Sequence, residues 1–214
     1  MAEQIYRIGV ISDTHGLIRD EVRDILRTCQ VILHGGDINR QEILEELKAI
    51  APLFVVRGNN DKEWAEGLPE TFSGAVCGLN IFMVHNRKHL PEDLGDADLV
   101  IFGHSHRYEE KRENGRVSLN PGSCGPRRFG QPITMAVVEV GVDLAGSAAG
   151  AETGDADGDV MGGAACHGAG NAVCPGPGGA VCPGPGTAAV HGRILRVNKV
   201  DIPHESGGKA GKNI

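Results

Sequence analysis

No apolar stretch in this chain approaches the roughly 20 residues that a membrane-spanning helix requires. No cationic segment followed by an apolar run of about 7–15 residues opens it, so a secretory leader is not expected. Positive charge is scarce too: 21 Lys and Arg stand against 28 Asp and Glu, a net charge of −7. That balance argues against stable nucleic-acid binding, which needs a basic face. Together these absences give an expectation of a cytoplasmic protein with no membrane association. The six cysteines, Cys29, Cys77, Cys124, Cys166, Cys174 and Cys182, are then expected as thiols rather than disulfides. The 214 residues are enough for one domain with a full core.

Absences also mark one segment off from the rest. Residues 141–190 contain no Lys, no Arg and no aromatic side chain, and 26 of these 50 residues are Gly or Ala. Residues 171–178 read NAVCPGPG and residues 179–186 read GAVCPGPG, a near repeat of period eight. Such a sequence cannot bury enough apolar surface to offset its ordering entropy. The expectation is a disordered Gly/Ala/Pro-rich insertion over 141–189, inside a domain formed by 1–140 plus 190–205, with 206–214 as a flexible tail. The acidity sits mainly here. Outside the segment 21 basic residues face 23 acidic ones, so the remainder is nearly neutral. Cys166, His167, Cys174, Cys182 and His191 lack any closely spaced cysteine pair, which disfavours zinc. Asp155, Asp157 and Asp159 open like a calcium loop, but Val160 and Cys166 stand where Gly and Glu belong.

The remainder alternates between strand and helix patterns. Ile5 to Asp13, Val31 to Asp37 and Leu53 to Val56 are apolar runs that suit buried strands. Between them, Asp20 to Cys29 places Val22, Ile25, Leu26 and Cys29 on one helical face, and Glu42 to Ile50 does the same with Ile43, Leu44, Leu47 and Ile50. This order predicts parallel pairing with crossover helices. Later, residues 76–80 predict a tight turn into a strand over Ile81 to His85. Lys88 to Leu94 predicts a short helix, and Leu99 to Gly103 a strand. Asn114-Gly115 between Arg107–Glu113 and Arg116–Asn120 is a two-residue hairpin signal. Ile133 to Val140 and Arg193 to Ile202 complete an α/β fold whose pairing turns antiparallel late. The insertion then splits a terminal hairpin.

Metal-type side chains follow the strands in order. They are Asp13 and His15 in SDTHG, Asp37 in GGD, Asn59 in GNND, His85 after IFMV, and His104 and His106 in GHSH. Oxygen and imidazole donors without thiolate suit hard-to-borderline divalent cations. Seven ligating groups are too many for one ion, so the set predicts two. Asp61 is placed behind the ligands, where a carboxylate would orient a ligand or a group that meets the transition state. The carboxyl edge of an α/β sheet, where all these motifs fall, is where sites form.

In this order the motifs resemble the calcineurin-like metallophosphoesterase superfamily. Gly103-His104-Ser105-His106, Asn120-Pro121-Gly122-Ser123 and the short length resemble its small bacterial and archaeal phosphodiesterase branch. The resemblance covers residues 5–140 and the last strand. It implies a four-layer α/β/β/α sandwich. It implies one ion on Asp13, His15, Asp37 and His106, and a second on Asp37, Asn59, His85 and His104, with Asp37 bridging. It implies a phosphoesterase, foremost a phosphodiesterase, that attacks in line with a hydroxide bridging two divalent ions. Manganese is the first expectation for the metal, with Ni²⁺, Co²⁺, Zn²⁺, Fe²⁺ or Mg²⁺ as alternatives. The substrate is a small phosphodiester or nucleotide-like ester, and a homodimer is compatible. His104, Asn60 and Asp61 are the expected catalytic positions. Many members carry His where this chain has Asn60, and Gly where it has Asn86. Asn60 can donate a hydrogen bond but cannot deliver a proton, which points to diesters or acidic leaving groups.

Other readings stand beside these. A phosphomonoesterase or nucleotidase is one alternative. A non-catalytic scaffold like the retromer subunit that resembles this family is another. His34 suits a satisfied buried histidine, His89 and His204 suit the surface, and Cys29 and Cys77 suit the core. Arg127 and Arg128 suit a phosphate contact and a solvated loop equally.

Overall fold

The computed structural model describes residues 3–128, 130–143 and 192–203. The elements run β1 (Glu3–Ile11), α1 (Asp20–Leu26), β2 (Val31–His34), α2 (Gln41–Ile50), β3 (Leu53–Val55), β4 (Thr71–Val76), β5 (Leu79–Val84), β6 (Leu99–Ile101), β7 (Tyr108–Glu113), β8 (Arg116–Pro121), β9 (Thr134–Asp143) and β10 (Gly192–Asp201). They form two five-stranded mixed sheets, ordered β10-β9-β1-β2-β3 and β4-β5-β6-β8-β7. The first half therefore builds the parallel core of one sheet, β1-β2-β3. The second half builds a sheet of its own, with β5, β6 and β8 parallel. β9 then returns to close the first sheet antiparallel to β1.

Alternation along the strands explains the layers. Ile8, Val10, Leu33, Ile81, Met83, Leu99, Ile101, Leu119 and Val138 meet between the two sheets in one buried cluster. The opposite face of the first sheet, through Ile11, Ile32, Met135 and Val137, packs on α1 and α2 by Val22, Leu26, Ile43, Leu44 and Leu47. A smaller cluster of Val84, Ala97, Val100 and Phe102 covers the outer face of the second sheet beneath Leu90 and Leu94. The four-layer α/β/β/α arrangement is present, with the second outer layer reduced to 3-10 turns and loops. No described helix is long and apolar enough to cross a membrane.

Three local expectations are corrected. α1 ends at Leu26 rather than Cys29: the Thr28 hydroxyl donates to the Ile25 carbonyl at 2.7 Å, and Cys29 N–H bonds Leu26 in a tighter turn. The helix expected over Lys88–Leu94 is a single 3-10 turn, Arg87–His89. Pro91 lacks an N–H and forces Leu90 into extended backbone (φ −63°, ψ 132°). The turn at Cys77 and Gly78 closes a full hairpin rather than merely entering a strand. Both residues have positive φ, 50° and 77°, as a two-residue I′ turn requires, and β4 pairs antiparallel with β5 before and after it.

The split hairpin is present. β9 and β10 pair antiparallel, with Gly192 opposite Val142, and the expected insertion lies outside the described residues except for 141–143, which complete β9. Its place in the fold is informative. Asp143 stands opposite Glu3 and Ala136 opposite Val10, so the chain leaves at the end of β1 remote from Asp13. Nine residues of β1 at about 3.3 Å each separate those ends by roughly 25 Å. Deleting 145–188 is therefore expected to leave hydrolysis within a factor of about two, and loop shortening adds only about 0.6 kcal/mol per halving. Thermal melting and kcat/KM of the deletion check this; a large fall in either would mean that the segment reaches the core or the site.

Candidate metal centre

Five strand ends supply the expected site residues, and the structure brings all seven candidate ligands together. β1 leads to Asp13 and His15, and β2 to Asp37. Asn59 follows β3, His85 follows β5, and His104 and His106 follow β6. His106 Nε2 lies 3.2 Å from Asp13 Oδ1 and 3.1 Å from His15 Nε2. His15 Nε2 lies 3.9 Å from both Asp13 Oδ1 and Asp37 Oδ2. On the other side, His85 Nε2 lies 3.4 Å from Asp37 Oδ2 and 3.1 Å from Asn59 Oδ1. His104 Nδ1 lies 2.9 Å from the same Asn59 oxygen. Two groups thus share Asp37: Asp13, His15 and His106 on one side, and Asn59, His85 and His104 on the other. Carboxylate and imidazole atoms of Asp13, His15 and His106, and of Asp13, Asp37 and His85, converge closely enough to share a cation.

The donor chemistry fits cations. Asp13 is fully buried, and its Oδ2 accepts from Ser12 Oγ at 2.7 Å and from His104 N–H at 3.1 Å. Its Oδ1 is buried without a hydrogen bond. A buried carboxylate oxygen with no hydrogen bond, faced by imidazole nitrogens of His106 and His15, is costly unless a cation meets it. His85 donates from Nδ1 to the Gly35 carbonyl at 2.7 Å, which turns Nε2, with its lone pair, into the site.

Electrostatics agree. Burial pushes the Asp37 carboxyl up, but the hydrogen bond and charge of His85, with two N–H donors from Asn60, hold it well below the usual range. Burial pushes His85 down, and Asp37 outweighs it, so His85 is raised. His15 is lowered by burial, and further by the positive charge of Arg128.

The backbone is unusual where the ligands sit. Asp13, His15, Asp37, His104 and His106 all adopt positive φ, between 45° and 70°. That region costs an L-residue about 1–2 kcal/mol, least for Asp and Asn. The surrounding loops must hold it. Asp61 supplies one hold: its carboxylate accepts backbone N–H groups from Asp37, Ile38, Asn39 and Gly58 at 2.7–3.1 Å. It therefore fixes the loops that carry Asp37 and Asn59. Gly36 (φ 94°) is required there too, since a Cβ would come within 2.8 Å of His85 Nδ1. Asn60 turns inward, its Nδ2 donating to Asp37 Oδ2 at 2.6 Å and its N–H to Oδ1 at 2.8 Å.

Several contributors were not assigned a role from sequence. Asn120 is fully buried, and its Nδ2 donates to the Gly103 carbonyl at 2.8 Å and Ser105 Oγ at 3.0 Å. It thereby clamps the loop of His104 and His106. Ser123 Oγ donates to the Asp13 carbonyl at 2.8 Å. The NPGS run carries both residues and was the available signal. His34 accepts from Gly36 N–H at Nδ1 (3.0 Å) and faces Thr14 Oγ1 with Nε2 (3.1 Å), joining the two ligand loops. Cys29, Cys77 and Cys124 are buried and form no disulfide among the described residues; the other three cysteines lie outside the described residues, as do His167, His191 and His204.

Burial pushes the His34 imidazole down to about 4 from 6.5. Its neutral form is stabilised in the folded state, so the contribution is complete above about pH 6.5 and is lost as pH falls towards 4. At about 1.4 kcal/mol per unit this amounts to roughly 3 kcal/mol. Urea midpoints of the chelator-treated protein between pH 7 and 4 should fall more steeply for the wild type than for His34→Gln. Parallel curves would remove His34 from the acid response.

Two mixed sheets are stacked face to face, with buried carboxylates and imidazoles gathered at their shared edge. The calcineurin-like phosphoesterase superfamily domain matches residues 6–143, and the chain belongs to that family. It is 33% identical over 143 residues, 60% of this chain and 83% of the relative, to a probable metallophosphoesterase of Methanothermobacter thermautotrophicus. It is 25% identical over 143 residues to a phosphodiesterase of Methanocaldococcus jannaschii, covering 55% of this chain and 84% of the relative. Among solved structures it resembles the zinc complex of vacuolar protein sorting 29 from Entamoeba histolytica, with a TM-score of 0.52, 25% identity, and coverage of 65% of this chain and 93% of that one.

Proposed function

We propose that this protein is a dinuclear metal-dependent phosphodiesterase. The observation that carries the reading is the position of Asp37, whose Oδ2 lies 3.9 Å from His15 and 3.4 Å from His85, between two donor groups. Asp13, His15, Asp37 and His106 would hold one divalent cation, and Asp37, Asn59, His85 and His104 the other, with manganese the first choice. Such a pair lowers the pKa of bound water and neutralises charge on a phosphoryl group.

The chain's own residues do the rest. His104 is exposed while His85 and His106 are buried, so its ring meets an incoming phosphate ester. Asp61 and Asn120 keep the ligand loops in place. Asn60 offers hydrogen-bond donors but no transferable proton. Esters whose leaving groups depart without protonation suit that site, which favours activated diesters over alkyl monoesters. The relative named a phosphodiesterase supports the same choice.

The test is metal analysis of the purified protein, together with hydrolysis of bis(p-nitrophenyl) phosphate and p-nitrophenyl phosphate under each candidate metal. Two equivalents bound per chain and faster diester turnover are expected. Saturation at one equivalent, or faster monoester turnover, would overturn the reading. A folded protein that binds metal yet hydrolyses neither ester would favour a protein-binding scaffold, in keeping with its likeness to vacuolar protein sorting 29.

A further inference from the structure

Beside His106 the surface forms a shallow, open cleft, with Ser123 and Ile133 at its inner wall and Arg127, Arg128 and Gln131 towards solvent. The cleft adjoins the candidate metal centre. His106 Nε2 is 3.2 Å from Asp13, and Ser123 Oγ donates to the Asp13 carbonyl. Arg127 and Arg128 are both exposed, and among the described residues no carboxylate pairs with either guanidinium. Arg23, Arg27, Arg87 and Arg112 pair with an Asp or Glu, whereas the exposed Arg40 and Arg107, like Arg127 and Arg128, have no such pair among the described residues. The positive charge of Arg128 reaches His15.

The cleft encloses no room for the body of a ligand, so an occupant is held at its open rim by the side chains that face outward. Two unpaired guanidiniums and the Gln131 amide present several N–H donors. A guanidinium fork matches phosphate or carboxylate oxygens in pairs. Two positive charges match a terminal phosphate, which carries about −1.5 to −2 at neutral pH, better than a carboxylate.

We infer that the cleft binds a second phosphate of the substrate, so that the preferred ester carries one phosphate at the metal centre and another on Arg127, Arg128 and Gln131. This rests on the reading of the centre as a phosphoesterase, and it adds the substrate class. Anchoring a remote phosphate would orient the scissile group without taking part in the chemistry.

Calorimetric binding of thymidine 3′,5′-bisphosphate and thymidine 5′-monophosphate to the metal-loaded protein tests it. The wild type is expected to favour the bisphosphate by about tenfold or more, the low end for a bidentate charge-assisted contact. The double variant R127Q/R128Q should bring that ratio close to one, and R127K/R128K, which keeps the charge without the fork, should fall between. A wild-type ratio near one, or a ratio unchanged in R127Q/R128Q, would overturn the inference. In parallel, kcat/KM is compared for the p-nitrophenyl ester of thymidine 5′-phosphate with and without a 3′-phosphate. Preferential bisphosphate binding with no hydrolysis of either ester would keep the second-phosphate site and remove the phosphodiesterase reading. Hydrolysis of both esters with no binding preference would do the reverse.

Discussion

Asp37→Asn is expected to lower kcat/KM at least a hundredfold, about 2.7 kcal/mol of transition-state stabilisation, while leaving the protein folded. Asp37 faces both donor groups, at 3.9 Å from His15 and 3.4 Å from His85. If the centre holds two cations as proposed, removing this charge weakens both positions together. The fold should survive because Asn, like Asp, tolerates the positive φ of 59° found there. Asn also retains one oxygen for the N–H of Asn60. Metal content should fall below two equivalents in the same preparation. Activity above about a tenth of wild type, a loss under ~1.4 kcal/mol, would contradict the shared position of Asp37.

Asp61→Ala is expected to have the largest effect on stability of any single change at the site. Its carboxylate accepts four backbone N–H groups and is only 3% exposed. Each buried donor left without a partner costs about 1–3 kcal/mol, so a loss of about 4 kcal/mol or more is expected, with Asp61→Asn intermediate. Chelator-treated protein should show this by urea unfolding, which separates the effect from metal binding. A loss below about 1 kcal/mol would mean that water replaces the carboxylate and that the loops of Asp37 and Asn59 hold themselves.

The candidate ligands are legible in sequence because each motif is contiguous and follows an apolar strand. The nearness of His15 to His106, 91 positions apart, was not legible from spacing. It came only with the resemblance. Roles that depend on reach across the fold stayed hidden. Nothing local tells that His34 ties Thr14 to Gly36, or that Asn120 secures the Gly103 carbonyl. Asp61 is expected behind the candidate ligands; its partners in the fold are backbone N–H groups, which sequence does not display. In the fold, the βαβ half was clear from periodicity. β4 was missed because Ser73, Gly74 and Ala75 carry little apolar signal; it forms by pairing with β5. Assigning strands to two sheets rather than one needs the packing between Ile8, Val10, Ile81 and Met83, which strand patterns alone do not reveal.

The left-handed backbone at Asp13, His15, Asp37, His104 and His106 has an evolutionary consequence. These positions are filtered twice, once by chemistry and once by torsion angle. Relaxed selection on catalysis would lift only the first filter. Val, Ile and other branched residues would still be excluded by sterics, and Ala would carry the left-handed penalty. In a descendant that had lost its activity, the vacated ligand positions should drift towards Gly and Asn. The signature of a retired site would be a trail of glycines and amides along otherwise intact loops.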